Sequence, residues 1–239
     1  MGYSGSATDW GRPFLEALSK DFFVISYDAR GMGRSFSPDN AADYALSEQL
    51  KDIESVLDHW GLSTSYLLGY SYGGVIGHEW AHYKPERVEG IAYVSTTAGQ
   101  KYYVAPEAET LLMLAKPPGE TPIKKSEVIW RICLGEEKFQ KHRQALQECF
   151  DALEGKLPRG IACREQLRIY GAFKWRAHPK AFKQLIVHGE EDFLAPVGNA
   201  YNIQKLIPEA KLKLLNGVAH MPHIECPEEF VTCLRDFLS

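Results

Sequence analysis

Apolar positions along this chain fall into short runs separated by longer amphipathic segments. Runs of this length are typical of buried strands, and they occupy residues 21–28, 66–68, 90–94, 184–187 and 211–215. Strands that alternate with helices favour a mostly parallel sheet with helices on both faces. We therefore expect an α/β protein with a doubly wound parallel sheet.

The amphipathic segments predict the helices. Over residues 46–60, apolar side chains recur at spacings of 4, 3, 4 and 3, which places them on one helix face: Leu46, Leu50, Ile53, Leu57 and Trp60. Further helices are predicted directly after residue 71, over about 198–207, and from Pro227 to the end of the sequence. Proline in the first turn followed by two acidic residues is a typical helix start.

Residues 99–183 have a different pattern. The strand signals disappear, and polar helical segments are interrupted by prolines at positions 106, 117, 118, 122 and 158. This pattern predicts a helical cap inserted into an α/β core formed by residues 1–98 and 184–239. In parallel sheets of this kind, ligands bind at the carboxyl ends of the strands.

The sequence Gly69-Tyr70-Ser71-Tyr72-Gly73 is a G-x-S-x-G motif at one of those strand ends. An apolar run precedes it and a helical stretch rich in small residues follows it. A serine on a sharp turn between strand and helix is typical of a nucleophile. Ser71 is therefore the candidate nucleophile.

A serine hydroxyl needs a base within hydrogen-bond reach, and the base needs a carboxylate to orient it. The stretch from His188 to Asp192 follows one predicted strand, and the stretch from Gly217 to His220 follows the next. The chain order Ser71, Asp192, His220 thus supplies a candidate catalytic triad. His223 is an alternative base, and Glu190 and Glu191 are alternative acids.

These segments, together with Asp28-Ala29-Arg30-Gly31-Met32-Gly33-Arg34-Ser35, resemble the α/β-hydrolase superfamily, in its branch of capped serine esterases, enol-lactonases and haloperoxidase-like enzymes. The resemblance favours His220 over His223, because His220 directly follows the glycine turn. It favours Asp192 over the two glutamates, which we interpret as solvated loop acids. It also implies an oxyanion hole formed by the backbone N–H groups of Tyr72 and Tyr3.

The resemblance implies a serine hydrolase that cleaves a small or medium carboxylic ester or lactone through an acyl-enzyme on Ser71. It implies no metal and no organic cofactor. The same triad could instead cleave a carbon–carbon bond or form a peracid. A slow or non-catalytic relative could use the pocket to sense a ligand.

Relatives of this kind have a strand that ends just before the segment at Tyr3, and the present sequence begins at that point. We therefore expect an N-terminally incomplete fold, with low stability or weak activity. A buried strand contributes on the order of 6–12 kcal/mol through about four large apolar side chains, and the second oxyanion donor, Tyr3, would be poorly held.

The composition of the chain narrows the classes of partner and compartment that we expect. The net charge of −4 disfavours nucleic acid, since phosphate binding needs concentrated Lys and Arg. Five cysteines without a C-x-x-C pair or a Cys/His ligand set favour reduced thiols and a cytoplasmic location. No apolar run reaches the length of a membrane span. The sequence does not indicate an oligomeric state.

Overall fold

The computed structural model describes residues 1–238 and contains one parallel sheet. Its strands are hydrogen-bonded in sequence order and all neighbouring pairs are parallel. They are β1 (Ser65–Tyr70), β2 (Val88–Val94), β3 (Lys183–Gly189) and β4 (Lys211–Leu215). The expected mostly parallel α/β sheet is confirmed.

Helices flank the sheet and fill the region between β2 and β3. They are α1 (Arg12–Leu18), α2 (Leu46–His59), α3 (Tyr72–Tyr83), α4 (Ala108–Ala115), α5 (Pro122–Asp151), α6 (Gly160–Ala172), α7 (Gly198–Leu206), α8 (Pro222–Glu225) and α9 (Pro227–Leu238). Four short 3-10 turns join them, at Ala7–Trp10, Ala41–Tyr44, Pro85–Arg87 and Gln100–Tyr102.

Strand β2 shows how the sheet divides two cores. Because successive side chains of a strand point to opposite faces, Ile91 and Tyr93 pack into one core, with buried residues of α2, α3 and α7. Ala92 and Val94 pack into the other, with buried residues of α1 and α9. The sheet is therefore covered on both faces, as a parallel sheet requires.

The predicted strand at residues 21–28 is wrong. Residues 23–29 have no regular secondary structure, because a strand needs a neighbour for its backbone hydrogen bonds and β1 is not beside them. Phe23 is 67% exposed and Trp60 is 52% exposed, so the helix face predicted for residues 46–60 also loses its last member. The two rings contact each other instead, with centroids 5.2 Å apart.

A hollow of about 450 Å³ separates this irregular segment from β1. Its walls are mainly apolar and include Phe22, Val24, Ile53, Tyr66 and Leu68. Within residues 1–238, β1 pairs with β2 alone and is the edge of the sheet. Among the described residues, the strand that carries the candidate nucleophile therefore has no strand neighbour on one side.

Candidate active site

Ser71 lies on the sharp turn that joins β1 to α3. Its backbone has φ 51° and ψ −115°, and a positive φ is uncommon for a residue with a side chain. Two contacts hold this conformation: the Ser71 N–H donates to the carbonyl oxygen of Val94 at 2.8 Å, and the Thr96 hydroxyl donates to the Ser71 carbonyl oxygen at 2.7 Å. The turn presents the Ser71 side chain at the carboxyl end of the sheet, as the motif predicted.

Asp192 follows β3 and is buried. Its Oδ1 accepts hydrogen bonds from the N–H groups of Leu194 at 3.0 Å and Ala195 at 2.7 Å. Its Oδ2 lies 2.7 Å from Nδ1 of His220. Both carboxylate oxygens therefore have partners, which fixes the plane of the group against the imidazole.

The charge on Asp192 is stable despite its burial. Burial alone would raise the pKa of Asp192, but the charge of His220 and the hydrogen bonds from His188 and His220 outweigh it and hold that pKa at about 2. His188 is buried. Its Nε2 donates to the carbonyl oxygen of Ala195 at 2.6 Å and lies 3.3 Å from Asp192 Oδ2. At neutral pH, Asp192 is an anion that can stabilise an imidazolium.

His220 lies on the loop after β4, and the loop is held from two sides. The His220 N–H donates to the carbonyl oxygen of Cys133 at 3.1 Å. The Glu225 carboxylate accepts from the N–H groups of Ala219 at 2.8 Å and Met221 at 3.0 Å, on either side of the histidine. The backbone around His220 is therefore anchored both to α5 and to α8.

Ser71 and His220 line the same cavity, which has a volume of about 120 Å³. Within residues 1–238 no hydrogen bond joins their side chains; such bonds often tighten only when substrate is bound. Tyr72 and Tyr3 also line this cavity. All five residues assigned from the sequence to the triad and the oxyanion hole thus belong to one site.

The rest of the cavity wall is mainly apolar and comes largely from residues 99–183. The side chains from that region are Tyr103, Leu111, Leu114, Ile129, Cys133, Gln166, Leu167 and Tyr170. Apolar and aromatic side chains of this region, such as Leu111, Leu114, Ile129 and Tyr170, therefore line the site. Gln166 also accepts a hydrogen bond from the N–H of Ser4 at 2.8 Å through its Oε1, which anchors the segment that carries Tyr3.

The alternative residues lie elsewhere. His223 is buried against the rings of Trp10 and Tyr70, with centroids 5.2 and 4.7 Å away, and among the described residues neither of its ring nitrogens has a hydrogen-bond partner. Glu190 and Glu191 are exposed, and Glu191 pairs with Lys138 at 2.6 Å. These positions agree with the interpretation of the two glutamates as solvated loop acids.

Sequence reasoning missed the residues that support the site. These residues are Thr96, Glu225 and Gln166, whose side chains form hydrogen bonds with backbone groups of other segments. No sequence motif identifies them. The available signals were weak: a buried threonine after a strand, and a glutamate five residues after the candidate base.

Two other structural features bear on the expectations. Among residues 1–238 the five cysteines form no disulfide. In that same part of the chain, no helix has both the length and the apolar character of a membrane span.

Comparisons with known proteins agree with this fold. A poly(3-hydroxyalkanoate) depolymerase of Ectopseudomonas oleovorans is 26% identical over 233 residues, covering 95% of this chain and 78% of that protein. The esterase RhEst1 of Rhodococcus sp. ECU1013 superposes with a TM-score of 0.75 at 23% identity, covering 99% of this chain and 87% of that one.

A 2-hydroxy-6-oxo-6-phenylhexa-2,4-dienoate hydrolase of Rhodococcus sp. RHA1 superposes with a TM-score of 0.80 at 19% identity, covering 100% and 87% of the two chains. The family model described as the alpha/beta hydrolase fold matches residues 2–227. With a match over nearly its whole length, a parallel sheet and a serine turn at the sheet's carboxyl end, the chain belongs to the α/β-hydrolase family.

Proposed function

We propose that this hydrolase cleaves a small or medium carboxylic ester or lactone through an acyl-enzyme on Ser71. The observation that carries the proposal is the 2.7 Å contact between Asp192 and His220 at the rim of the cavity that Ser71 also lines. Family membership supports hydrolysis in general, and the product analysis described below tests the choice of an ester or lactone over a carbon–carbon bond. The depolymerase and the esterase among the comparisons act on esters by their names.

In the proposed reaction, His220 takes the proton of Ser71 as the serine oxygen attacks the carbonyl carbon. Asp192 holds the Nδ1–H of His220, so Nε2 is the nitrogen that accepts the proton. Collapse of the tetrahedral intermediate expels the alcohol, which receives that proton. His220 then takes a proton from a water molecule as that water attacks the acyl-enzyme, and it returns the proton to the Ser71 oxygen as the acid leaves.

We assign the two oxyanion donors to the backbone N–H groups of Tyr72 and Tyr3. Tyr72 is the first residue of α3, and the first N–H groups of a helix have no partner within the helix. Tyr3 is carried by the segment bound to Gln166. Donors of this kind typically contribute about 10²–10³ in rate each.

We further propose that residues 99–183 act as a cap that selects the substrate, over a core of residues 1–98 and 184–239. Helices α4, α5 and α6 supply much of the cavity wall. A cavity of about 120 Å³ with leucine, isoleucine and tyrosine walls favours a short, uncharged acyl or alcohol group, because charged groups lose solvation there.

Labelling with a fluorophosphonate probe tests the nucleophile. We expect one covalent adduct per chain, retained in a Ser47→Ala control on the exposed face of α2 and lost in Ser71→Ala. No adduct on a protein with a cooperative melt would contradict catalysis and favour a ligand-sensing role.

Product analysis tests which class of bond the enzyme cleaves. We expect turnover on a panel of short nitrophenyl esters and lactones, with an acyl-enzyme trapped by mass spectrometry at Ser71. Vinylogous diketones should be added to the panel to test carbon–carbon hydrolysis. A separate assay with hydrogen peroxide should test peracid formation. Turnover of those substrates alone would replace the ester assignment with carbon–carbon hydrolysis or peracid formation.

A further inference from the structure

Three histidines meet beside the second half of α3, away from its first residue, Tyr72. His78 and His82 are one helical turn apart on α3 and therefore share a face. His178 comes from the segment between α6 and β3. The ring centroids lie 4.7 Å apart for His78 and His82, 4.5 Å for His78 and His178, and 4.9 Å for His82 and His178.

We propose that His78, His82 and His178 bind a divalent transition-metal ion, with Zn²⁺ as the expected occupant. One ring nitrogen from each residue lies within 4.8 Å of the others. Zinc–imidazole bonds of ~2.0–2.1 Å need nitrogens about 3.3 Å apart in a tetrahedral site, so modest rotations of the rings would close it. Three neutral imidazoles suit Zn²⁺ and disfavour Mg²⁺ or Ca²⁺, which prefer oxygen ligands.

One ring nitrogen of the cluster has no hydrogen-bond partner within residues 1–238. His178 Nε2 lies 2.8 Å from the Tyr93 hydroxyl, while its Nδ1 is buried and has no partner within residues 1–238. An oxygen partner on one nitrogen and a free second nitrogen is the arrangement found in metal-bound histidines. Tyr93, on β2, would thus orient His178 for coordination.

The rings of His82 and His78 must turn for coordination. Nδ1 of His82 lies 2.9 Å from the carbonyl oxygen of His78, and its Nε2 lies 3.1 Å from the carbonyl oxygen of Ala177. A neutral imidazole has a single N–H and can donate to only one of them, so the nitrogen without a proton loses no hydrogen bond when it turns to a metal. Nε2 of His78 accepts from the N–H of Arg176 at 3.4 Å, a long hydrogen bond that coordination would replace.

One cation beside the cluster is compensated. The Arg176 guanidinium pairs with Glu79 at 2.8 Å, which offsets its repulsion of a bound metal ion.

Occupancy would join α3 to the segment that leads from the insertion back to the sheet. The metal lies outside the cavity shared by Ser71 and His220, because none of the three histidines lines that cavity. We therefore assign it a structural role, in which it holds residues 173–182 against the helix that follows the nucleophile.

The test uses the full chain without an affinity tag, stripped of metal with a chelator. We expect one equivalent of Co²⁺ to give the visible absorption of a tetrahedral site, and one equivalent of Zn²⁺ to abolish it. His82→Ala and His178→Ala should weaken binding 10-fold or more, while His59→Ala on the exposed part of α2 should bind like the parent. We also expect Zn²⁺ to raise the melting temperature of the parent and of His59→Ala only.

Two results would overturn the proposal. One is the lack of stoichiometric Co²⁺ or Zn²⁺ binding by the folded parent protein. The other is equal binding by the parent and both histidine variants, which would place the metal elsewhere. Each readout is independent of ester hydrolysis, so failure here leaves the proposed function intact.

Discussion

Nδ1 of His220 and Oδ2 of Asp192 are 2.7 Å apart, and both side chains are almost completely buried. A charge-assisted hydrogen bond of this length is about twice as strong as a neutral one. It places the proton on Nδ1 and leaves Nε2 as the acceptor. The following predictions test this arrangement and the turn that carries Ser71.

Replacement of Asp192 by asparagine should remove activity without removing the fold. The amide oxygen can still accept from Leu194 and Ala195, but the amide NH₂ would face His220 and favour the wrong tautomer. We expect kcat to fall by about 10²–10⁴ with little change in KM. Steady-state kinetics on a short ester will measure this, and Glu190→Gln, at an exposed position, should stay within about twofold of the parent.

The two neighbouring histidines should behave differently. His220→Ala should abolish turnover, because no other described base lines the cavity beside Ser71. His223→Leu should retain most of the activity, since its ring is packed among aromatic residues. Equal losses in the two variants would show that the roles were assigned wrongly.

Two glycines on α3, Gly74 and Gly77, allow a matched test of how tightly the helix packs behind the turn at Ser71. A Cβ at Gly74 would lie 2.6 Å from Thr96 Oγ1, the hydroxyl that bonds the Ser71 carbonyl, whereas a Cβ at Gly77 would have nothing closer than 3.8 Å. We expect Gly74→Ala to cost about 1–3 kcal/mol of unfolding free energy and to reduce turnover. Gly77→Ala should be neutral or stabilise by up to about 1 kcal/mol. Thermal melts and ester assays of both variants will decide, and a harmless Gly74→Ala would contradict the model of the turn.

Acid should destabilise the protein partly through His223. Burial, followed by the charges of His220 and the terminal amine, lowers the pKa of His223 from 6.5 to about 3. Between those pH values the unfolded chain binds a proton that the folded chain does not, so the unfolding free energy falls as the pH falls, by at most ~1.4 kcal/mol per pH unit.

His223→Leu isolates this contribution. The variant should gain stability relative to the parent as the pH is lowered from 7.5 to 5.5, as measured by urea unfolding at each pH. It should also be no less stable than the parent at pH 7.5, because two buried nitrogens without partners are removed. A constant difference between variant and parent across this range would show that His223 titrates normally in the folded protein.

The sequence predicted four of the strands and the turn at Ser71 because their signals are local. Apolar runs mark β1 to β4, and the glycines around Ser71 mark the turn. Ser71, Asp192 and His220 each follow a predicted strand. Because the carboxyl ends of parallel strands lie at the same end of the sheet, the three residues were expected to lie close together.

The remaining features depend on contacts between distant residues. An apolar run such as residues 21–28 indicates a preference for burial. Whether it forms a strand depends on a neighbouring strand with which its backbone can pair. The metal-ligand candidates were also missed, because His178 lies about a hundred residues from His78 and only the fold brings them together. Likewise, no spacing rule relates Glu225 to the backbone it holds around His220.

Within residues 1–238, the outward-pointing backbone groups of β1 can pair with an extended segment, and the apolar hollow beside them can accept that segment's side chains. A segment bound there would continue the parallel sheet and would hold the nucleophile strand from its second side. Filling the hollow would therefore also steady the turn that carries Ser71.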